Sequence, residues 1–319
     1  MKKTTFILVL FITANNSYAQ DNCVTKLKDE LLYGKVKSLT EISYTPKYVW
    51  SGKPKTDKII YTFDTLGREI TRSAFEQNSY SYYNSEGQLF KYDIYYARTG
   101  ELEYQNEYLY ENGNLVKHIN KPIPMRIAKS SSDYDYFVRY YKYNEENKLI
   151  EKKVAEKRKD NNKEILTKTI KYQYDSNGDC ILEEEYNYEN KLVETKENTF
   201  ENHKLIETFT WQLFEGENQY MKDTYTYNDD STMRSHLHFV YMYNSKEEIV
   251  VYEETNYDYV YKKNKLIEYS EISTFITSTI SYDLDKKGNW VKKTKSTKER
   301  YKKEEEETPI IRIYEYYDD

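Results

Sequence analysis

One short unit recurs along most of this chain of 319 residues, and it constrains the fold more than any other feature. The unit is an aromatic residue, any residue, a second aromatic residue and Asp or Asn, then two residues, Gly, one further residue and an apolar pair. A clear copy runs from Tyr172 through Asp175 and Gly178 to Ile181. The position of the second aromatic residue falls at 63, 83, 110, 143, 174, 188, 200, 227, 243, 261 and 284, where the last copy has Leu284 in its place, and several other copies are degenerate.

Each part of the unit has a mechanical role in a β-hairpin. Residues i and i+2 of a strand point to one face, so the two aromatic rings lie side by side. Asp or Asn accepts hydrogen bonds from backbone N–H groups a few residues on and starts a turn, and Gly supplies the positive φ that the turn requires. Asn147 can replace Gly because Asn tolerates the left-handed region. The apolar pair then opens the returning strand.

Linked hairpins predict an all-β fold, a long antiparallel meander that forms a curled or twisted open repeat sheet. Second strands such as 183–188 alternate charges with rings, which is typical of a sheet with one face in water. Residues 24–33 are the only modest helix candidate. The stretches 121–133 and 156–163 are loop and hairpin-tip candidates without the character of a domain linker. Residues 36–319 are therefore expected to form one continuous repeat domain.

The N-terminus predicts export. Lys2 and Lys3 precede an apolar stretch at residues 6–12 that is too short to span a bilayer, and small residues lead to a cleavage site after Ala19. Residues 1–19 are thus a signal peptide, followed by a short N-terminal segment at 20–35. The mature chain is expected to be periplasmic, outer-surface or secreted, with no transmembrane segment. The triplet before Cys23 is a poor lipoprotein signal, so no lipid anchor is predicted.

Composition excludes several classes of protein. The chain has 38 Tyr, 9 Gly and 2 Cys, and 32% of its residues are charged, which argues against a collagen-like chain, a disulfide-stapled domain and a helical membrane bundle. An aromatic content of 16% argues against disorder. Loss of Lys2 and Lys3 leaves 46 basic against 54 acidic residues, a net charge of −8 that opposes nucleic-acid binding. Cys23 and Cys180 could form a bridge or remain separate thiols.

The repeated unit resembles the YD repeat of bacterial Rhs-type proteins over most of residues 36–319. The opening at 34–39 and the closing run 282–291 (YDLDKKGNWV) are similar to the ends of small exported members. The resemblance implies a coiled antiparallel β-surface, and large members close into a shell around a cargo polypeptide. This chain has only about a dozen hairpins, lacks a recognisable toxin or self-cleavage segment, and offers no family active site to carry over.

The residues that could bind a metal or catalyse a reaction are better explained by structural roles. His236 and His238 share one face of a strand and could form half of a Zn²⁺ or Cu²⁺ site, but the sequence offers no obvious further ligands. The acidic runs 183–185 and 304–307 could hold paired carboxylates, although solvated faces explain them better. No nucleophile or nucleotide-binding motif occurs. We therefore predict no enzyme, no metal and no cofactor.

A basic stretch at 286–303 precedes the acidic run 304–307. It could bind a polyanion, but we favour antiparallel pairing with the acidic strand that follows. Most Tyr-x-Tyr pairs are expected to form the core. The remaining rings could stack on sugars, and the speculative exposed binding residues are Trp50, Trp211 and Trp290.

These features favour a non-catalytic exported β-repeat scaffold that binds a glycan or a protein at the cell envelope. The alternative is a shell fragment or immunity component of a contact-dependent toxin system. The sequence leaves the ligand, the final compartment and the oligomeric state open.

Overall fold

A computed structural model describes residues 32, 34–45, 55–123, 134–158, 163–214, 216–243, 249–263, 265–273, 276–299 and 306–317. The predicted signal peptide at 1–19, Cys23 and Trp50 lie outside these residues, as does nearly all of the segment 20–35. No helix in the described part of the chain is long and apolar enough to cross a bilayer.

The described residues form twenty antiparallel strands, as expected in kind from the hairpin unit. The strands are β1 (Val36–Thr45), β2 (Lys55–Phe63), β3 (Glu69–Ser73), β4 (Gln77–Tyr83), β5 (Leu89–Tyr96), β6 (Leu102–Glu111), β7 (Asn114–Pro122), β8 (Tyr134–Tyr143), β9 (Leu149–Arg158), β10 (Glu164–Tyr174), β11 (Cys180–Asn187), β12 (Leu192–Glu201), β13 (Lys204–Phe214), β14 (Glu217–Tyr227), β15 (Met233–Tyr243), β16 (Ile249–Lys262), β17 (Lys265–Ser273), β18 (Ile276–Leu284), β19 (Trp290–Glu299) and β20 (Glu306–Tyr316). Each strand pairs with the one before and the one after it in the chain.

The first and last strands pair as well, so the sheet closes into a barrel. Leu39 of β1 lies opposite Tyr61 of β2 on one side and Tyr314 of β20 on the other. The prediction of an open curled sheet is therefore wrong. Hairpin signals act within about 30 residues, whereas closure depends on the twist and stagger accumulated over all the strands. Closure also removes the two unpaired edges that an open sheet would expose.

The dimensions follow from strand count and strand length. Strands about 4.8 Å apart and tilted by about 40° give twenty strands a circumference of about 125 Å, or a diameter of about 40 Å. A strand of about ten residues at the same tilt rises about 26 Å along the axis. Each strand makes its main contacts with its two neighbours. The barrel is therefore a wide ring with a single-layered wall.

The turns that follow β2, β4, β8, β10, β14 and β18 use the predicted chemistry. The Asp175 carboxylate accepts hydrogen bonds from the backbone N–H groups of Asn177 and Asp179, both at 2.9 Å. Gly178 has a φ of 88°, and Asn147 takes the equivalent position with a φ of 59°. A register shift beside Tyr174 places a bulge at the start of the returning strand. These turns lie together at one end of the barrel, which we call the turn rim.

The second Tyr of the unit ties neighbouring hairpins together at the turn rim. Pairing between β7 and β8 ends at Lys117 and Tyr140, which leaves the Leu115 carbonyl beyond the ladder. The Tyr143 hydroxyl donates a hydrogen bond to that carbonyl at 3.0 Å. The same bond recurs from Tyr83 to Glu69, Tyr110 to Leu89, Tyr174 to Leu149, Tyr227 to Leu205 and Tyr314 to Trp290. We call this series the tyrosine ladder.

The two faces of the wall differ in burial. One face carries the most buried rings, among them Tyr92, Tyr108, Tyr141, Tyr172 and Tyr282. Many of the exposed large apolar side chains within strands lie on the other face, as Leu109, Phe209 and Val260 do. Side chains converge on the concave side of a barrel, so the buried face is the inner one. Most Tyr-x-Tyr pairs were expected in the core, and the first rings of three pairs, Tyr108, Tyr141 and Tyr172, are buried on this face beside mainly aliphatic residues.

Candidate functional sites on the two faces of the barrel

Three potential metal ligands meet on the inner face of β14 and β15. Asp223 lies directly opposite His238, and His236 is two residues away on the same strand face. Asp223 Oδ1 lies 2.6 Å from His236 Nε2 and 2.7 Å from His238 Nδ1. The three ligand atoms all lie within 4.8 Å of one another. The sequence offered only the two histidines. The third group becomes visible once the hairpin register is known.

The neighbours of this Asp–His–His cluster hold it in place. The His236 ring stacks between Tyr225, at 4.7 Å between centroids, and Tyr257, at 5.0 Å. Burial alone would raise the pKa of Asp223, but the hydrogen bonds from both histidines outweigh it and hold the pKa at about 2. The hydrogen bond to Asp223 in turn raises the pKa of His238. The carboxylate is therefore ionised at neutral pH.

A second inner-face cluster is basic. His118 stacks on Tyr108 at 4.5 Å, and its ring nitrogens lie 3.0 Å from Asn106 Oδ1 and 3.1 Å from Arg139 Nη1. Since the arginine can only donate, His118 Nδ1 accepts and Nε2–H donates to Asn106. Burial, with the charges of Arg139 and Lys152, lowers the pKa of His118 to about 3. This histidine is a neutral structural group.

The predicted tryptophan residues occupy different environments. Trp290 is only 6% exposed, and the Arg312 guanidinium lies 3.7 Å from its ring centroid. Its expected exposure is therefore wrong: Trp290 opens a returning strand and packs in the core. Trp211 is half-buried on the outer face, and its indole N–H donates to Asn218 Oδ1 at 3.1 Å. Ligand binding by Trp211 remains a prediction.

Trp211 belongs to a contiguous group of rings on the outer face. Trp211 of β13 lies opposite Tyr220 of β14, which lies opposite Tyr241 of β15. Phe209 is 6.1 Å from Tyr220, and Phe239 is 6.0 Å from Tyr241, between ring centroids. We call these five residues the aromatic strip. The sequence did not reveal it, because four of its members lie outside the Tyr-x-Tyr positions.

Charged residues also occupy the outer face. Lys142 of β8, Glu151 of β9, Lys171 of β10 and Glu184 of β11 lie in direct register, so opposite charges alternate across four strands. The two lysines are exposed and the two glutamates half-buried. We call this row the charge ladder. The outer wall therefore lacks a continuous apolar band at these strands.

The acidic and basic runs have structural roles. Within 183–185, Glu184 belongs to the charge ladder and Glu185 forms an ion pair of 2.7 Å with Lys168. The predicted antiparallel pairing of β19 with β20 is confirmed, although Glu307 lies opposite Ser296 and not opposite a lysine. Cys180 is buried at 4% exposure in the core. Cys23, with which it could form a bridge, lies outside the described residues.

No protein-family model and no curated protein matches the chain. Among solved structures, a porin-like protein from Bacteroides uniformis ATCC 8492 has 9% identity and a TM-score of 0.38, covering 89% of this chain and 99% of its own. A porin-like protein from Bacteroides vulgatus ATCC 8482 has 9% identity and a TM-score of 0.31, covering 88% and 98%. Similarity at this level carries no argument about function, and the barrel assignment rests on its own strand pairing.

The resemblance to Rhs-type YD repeats is wrong for this chain. The strand pairing closes a barrel of twenty strands, whereas the resemblance implied an open coiled repeat surface, and no family model supports it. The reason lies in the unit itself. Aromatic-x-aromatic-Asp-x-x-Gly encodes a strand end, a turn and a bulge, which any fold built of such hairpins can use.

Proposed function

We propose that the protein is a non-catalytic exported β-barrel that acts at the cell envelope and binds a glycan along the aromatic strip. The observation that carries the proposal is the register of Trp211, Tyr220 and Tyr241, three aromatic residues directly opposed across three adjacent strands on the outer face of one closed barrel. The predicted signal peptide supports export.

The charge ladder supports a wall with water on both faces. A lysine on the lipid face of a barrel costs about 2–4 kcal/mol at the bilayer midplane, the level of Lys222 in the middle of β14, and about 0–1 kcal/mol near the interfaces, the level of Lys142 at the end of β8. Lys142 and Lys171 stand on the outer face in register with two glutamates, and Lys222 forms an outer ion pair of 2.8 Å with Glu207. The inner face is also polar, with Asn198, Thr208 and Thr255 buried there. Insertion of this wall into lipid is therefore disfavoured.

The aromatic strip suits a sugar chain. Directly opposed residues on adjacent strands lie about 5 Å apart, so the rings of Trp211, Tyr220 and Tyr241 form a short platform across three strands. Aromatic faces pack on the apolar faces of sugar rings, and Tyr adds a hydroxyl for hydrogen bonding. Phe209, which is 37% exposed, extends the platform on the same face.

The titration behaviour of the carboxyl groups supports a non-catalytic role. Glycosidic chemistry needs two carboxyl groups, one of them with a raised pKa. Among the described residues, Glu69 alone among carboxyl groups has a raised pKa, at about 7 because of burial. Glu69 is only 7% exposed in β3, between β2 and β4, so a substrate has little access to its carboxyl group.

The dimensions of the barrel argue against the shell alternative. Closure of the wall is a feature that a shell would need. A ring about 40 Å wide and about 26 Å tall, however, is too short to enclose a folded cargo domain. A scaffold that binds a ligand on the outer face, at the aromatic strip, fits these dimensions better than a shell around cargo.

Glycan and envelope-polymer binding by the mature chain tests the proposal. We expect at least one glycan to bind, and Trp211→Ala to weaken its binding about tenfold, the equivalent of about 1.4 kcal/mol. Tyr80→Ala is the matched control, since Tyr80 is 41% exposed on the outer face of β4, away from the strip. Equal binding by both variants, or no bound glycan, would refute the proposal. Recovery of the mature protein in the membrane fraction after a carbonate wash would refute the solvated wall.

A further inference from the structure

We propose that Asp223, His236 and His238 form a binding site for a divalent first-row transition-metal ion, with Zn²⁺ as the probe of choice. The site lies on the inner face of the barrel, where β14 and β15 pair. It is separate from the aromatic strip, which occupies the outer face of the same strands, so the inference does not depend on glycan binding.

The ligand set matches this class of metal ion. Two imidazoles and one carboxylate offer nitrogen and oxygen donors, which suit zinc, copper, nickel and iron. The ligand atoms are His236 Nε2, His238 Nδ1 and a carboxylate oxygen of Asp223, and all lie within 4.8 Å of one another. Asp223 and His238 are opposed across the ladder, so their backbone positions are fixed by strand pairing.

Small side-chain movements complete the geometry. Tetrahedral zinc with bonds of about 2.05 Å places its ligand atoms about 3.3 Å apart. The two observed separations from Asp223 Oδ1, 2.6 Å and 2.7 Å, are hydrogen-bond distances. Rotation of the carboxylate by less than 1 Å at its oxygen opens the space for one metal ion, provided that each neutral imidazole carries its proton on the ring nitrogen that faces away from the ion.

The surroundings favour a cation in the cluster. Tyr225 and Tyr257 hold the His236 ring from both sides and restrict its rotation. Thr255 lies opposite His238, and Glu271 lies opposite Tyr257 on the same inner face. Exposed fractions of 17–26% for the three ligand side chains leave the cluster accessible from the inside of the barrel. A water molecule or a further oxygen donor can fill the remaining coordination position.

A bound metal ion can be assigned to this cluster by substitution, because the whole chain contains only four His. His118 is buried in the basic cluster, and His203 is a surface residue whose Nδ1 lies 3.0 Å from Asp179. His203→Ala is therefore a matched control, since it removes a His–Asp contact outside the site. A protein without a polyhistidine tag is required.

The test is zinc titration of the chelator-treated mature chain by calorimetry, with X-ray absorption of the zinc-loaded protein. We expect about one zinc ion per chain, with His and oxygen ligands at about 2.0–2.1 Å. His236→Ala, His238→Ala and Asp223→Asn should each weaken binding at least about tenfold, and His203→Ala should not. Circular dichroism checks that each variant is folded, and Asp223→Asn keeps the shape of the side chain. Absence of saturable binding, or equal binding by all variants, would show a hydrogen-bonded cluster only and overturn the inference.

Discussion

Replacement of Tyr143 by Phe isolates one hydrogen bond of the tyrosine ladder. The substitution removes a hydroxyl and keeps the ring, so its packing is preserved. The hydroxyl donates to the Leu115 carbonyl at 3.0 Å, beyond the last pair of β7 with β8. Leu115 is only 5% exposed, so water has little access to take over the bond.

The expected loss follows from the burial of that carbonyl. A hydrogen bond contributes about 0.5–1.5 kcal/mol net, and a buried acceptor left without a donor costs about 1–3 kcal/mol. We therefore expect Tyr143→Phe to lower the free energy of unfolding by about 1.5 kcal/mol. For a domain of this size, 1 kcal/mol shifts the melting temperature by about 2 °C. The single variant should thus melt about 3 °C lower.

A triple variant amplifies the effect. Tyr110 and Tyr174 make the equivalent bonds to Leu89 and Leu149. Combined replacement of all three by Phe should cost about 4.5 kcal/mol if the sites add. Urea unfolding followed by circular dichroism measures the loss, and Tyr80→Phe on the outer face should remain within about 0.5 kcal/mol of the wild type. If the triple variant unfolds at the wild-type midpoint, the tyrosine ladder does not stabilise the barrel.

Three further predictions concern pH, the closing seam and a turn. The pKa of His118 is lowered from 6.5 to about 3. The contribution of the neutral side chain to the free energy of unfolding is therefore fully present above about pH 6.5 and is lost as the pH falls towards 3. The wild type should lose about 3 kcal/mol more than His118→Gln between pH 7 and 4.5 in urea titrations, and parallel losses would contradict this. Arg312 pairs with Glu41 at 2.9 Å across the seam between β20 and β1. Arg312→Ala should cost about 3 kcal/mol, because Glu41 would remain without its partner, and an unchanged melting temperature would refute this role. Asn147→Ala should destabilise by about 1 kcal/mol in thermal unfolding because its φ is 59°, whereas Asn147→Gly should be neutral, and equal effects would contradict the argument.

The sequence predicted the hairpin turns because each turn is determined by the few residues within it. The carboxylate of Asp175, the positive φ of Gly178 and its replacement by Asn147 are all decided within one turn. Closure is different, since it requires Leu39 and Tyr314 to meet across almost the whole chain. No pattern of single hairpins encodes the total twist, and an open sheet and a barrel share the same alternation of side chains.

The candidate sites also combine features that are visible in the sequence with features that depend on how the strands pair. His236 and His238 are visible in the sequence as an alternating pair, but Asp223 becomes a partner only through the register of β14 and β15. Trp290 was expected at the surface because strand composition does not say which face is concave. It lies at the start of a returning strand, where it packs under Arg312 in the core. Register and curvature, and not residue type, decide these placements.

The abundance of Tyr follows from a wall that is only one sheet thick. Such a wall has no layer of aliphatic side chains between two sheets, so its apolar contacts must form along the surface of the barrel. Leu115 and Leu149 lie near the start of returning strands at the turn rim, and pairing with the next strand begins only at Lys117 and at Glu151, which leaves the two leucine carbonyl groups beyond that ladder. A Phe could pack against either leucine, but only Tyr also supplies the donor that these carbonyls need. The 38 tyrosines in a chain with 38% hydrophobic residues are therefore the expected composition of a thin barrel built from bulged hairpins.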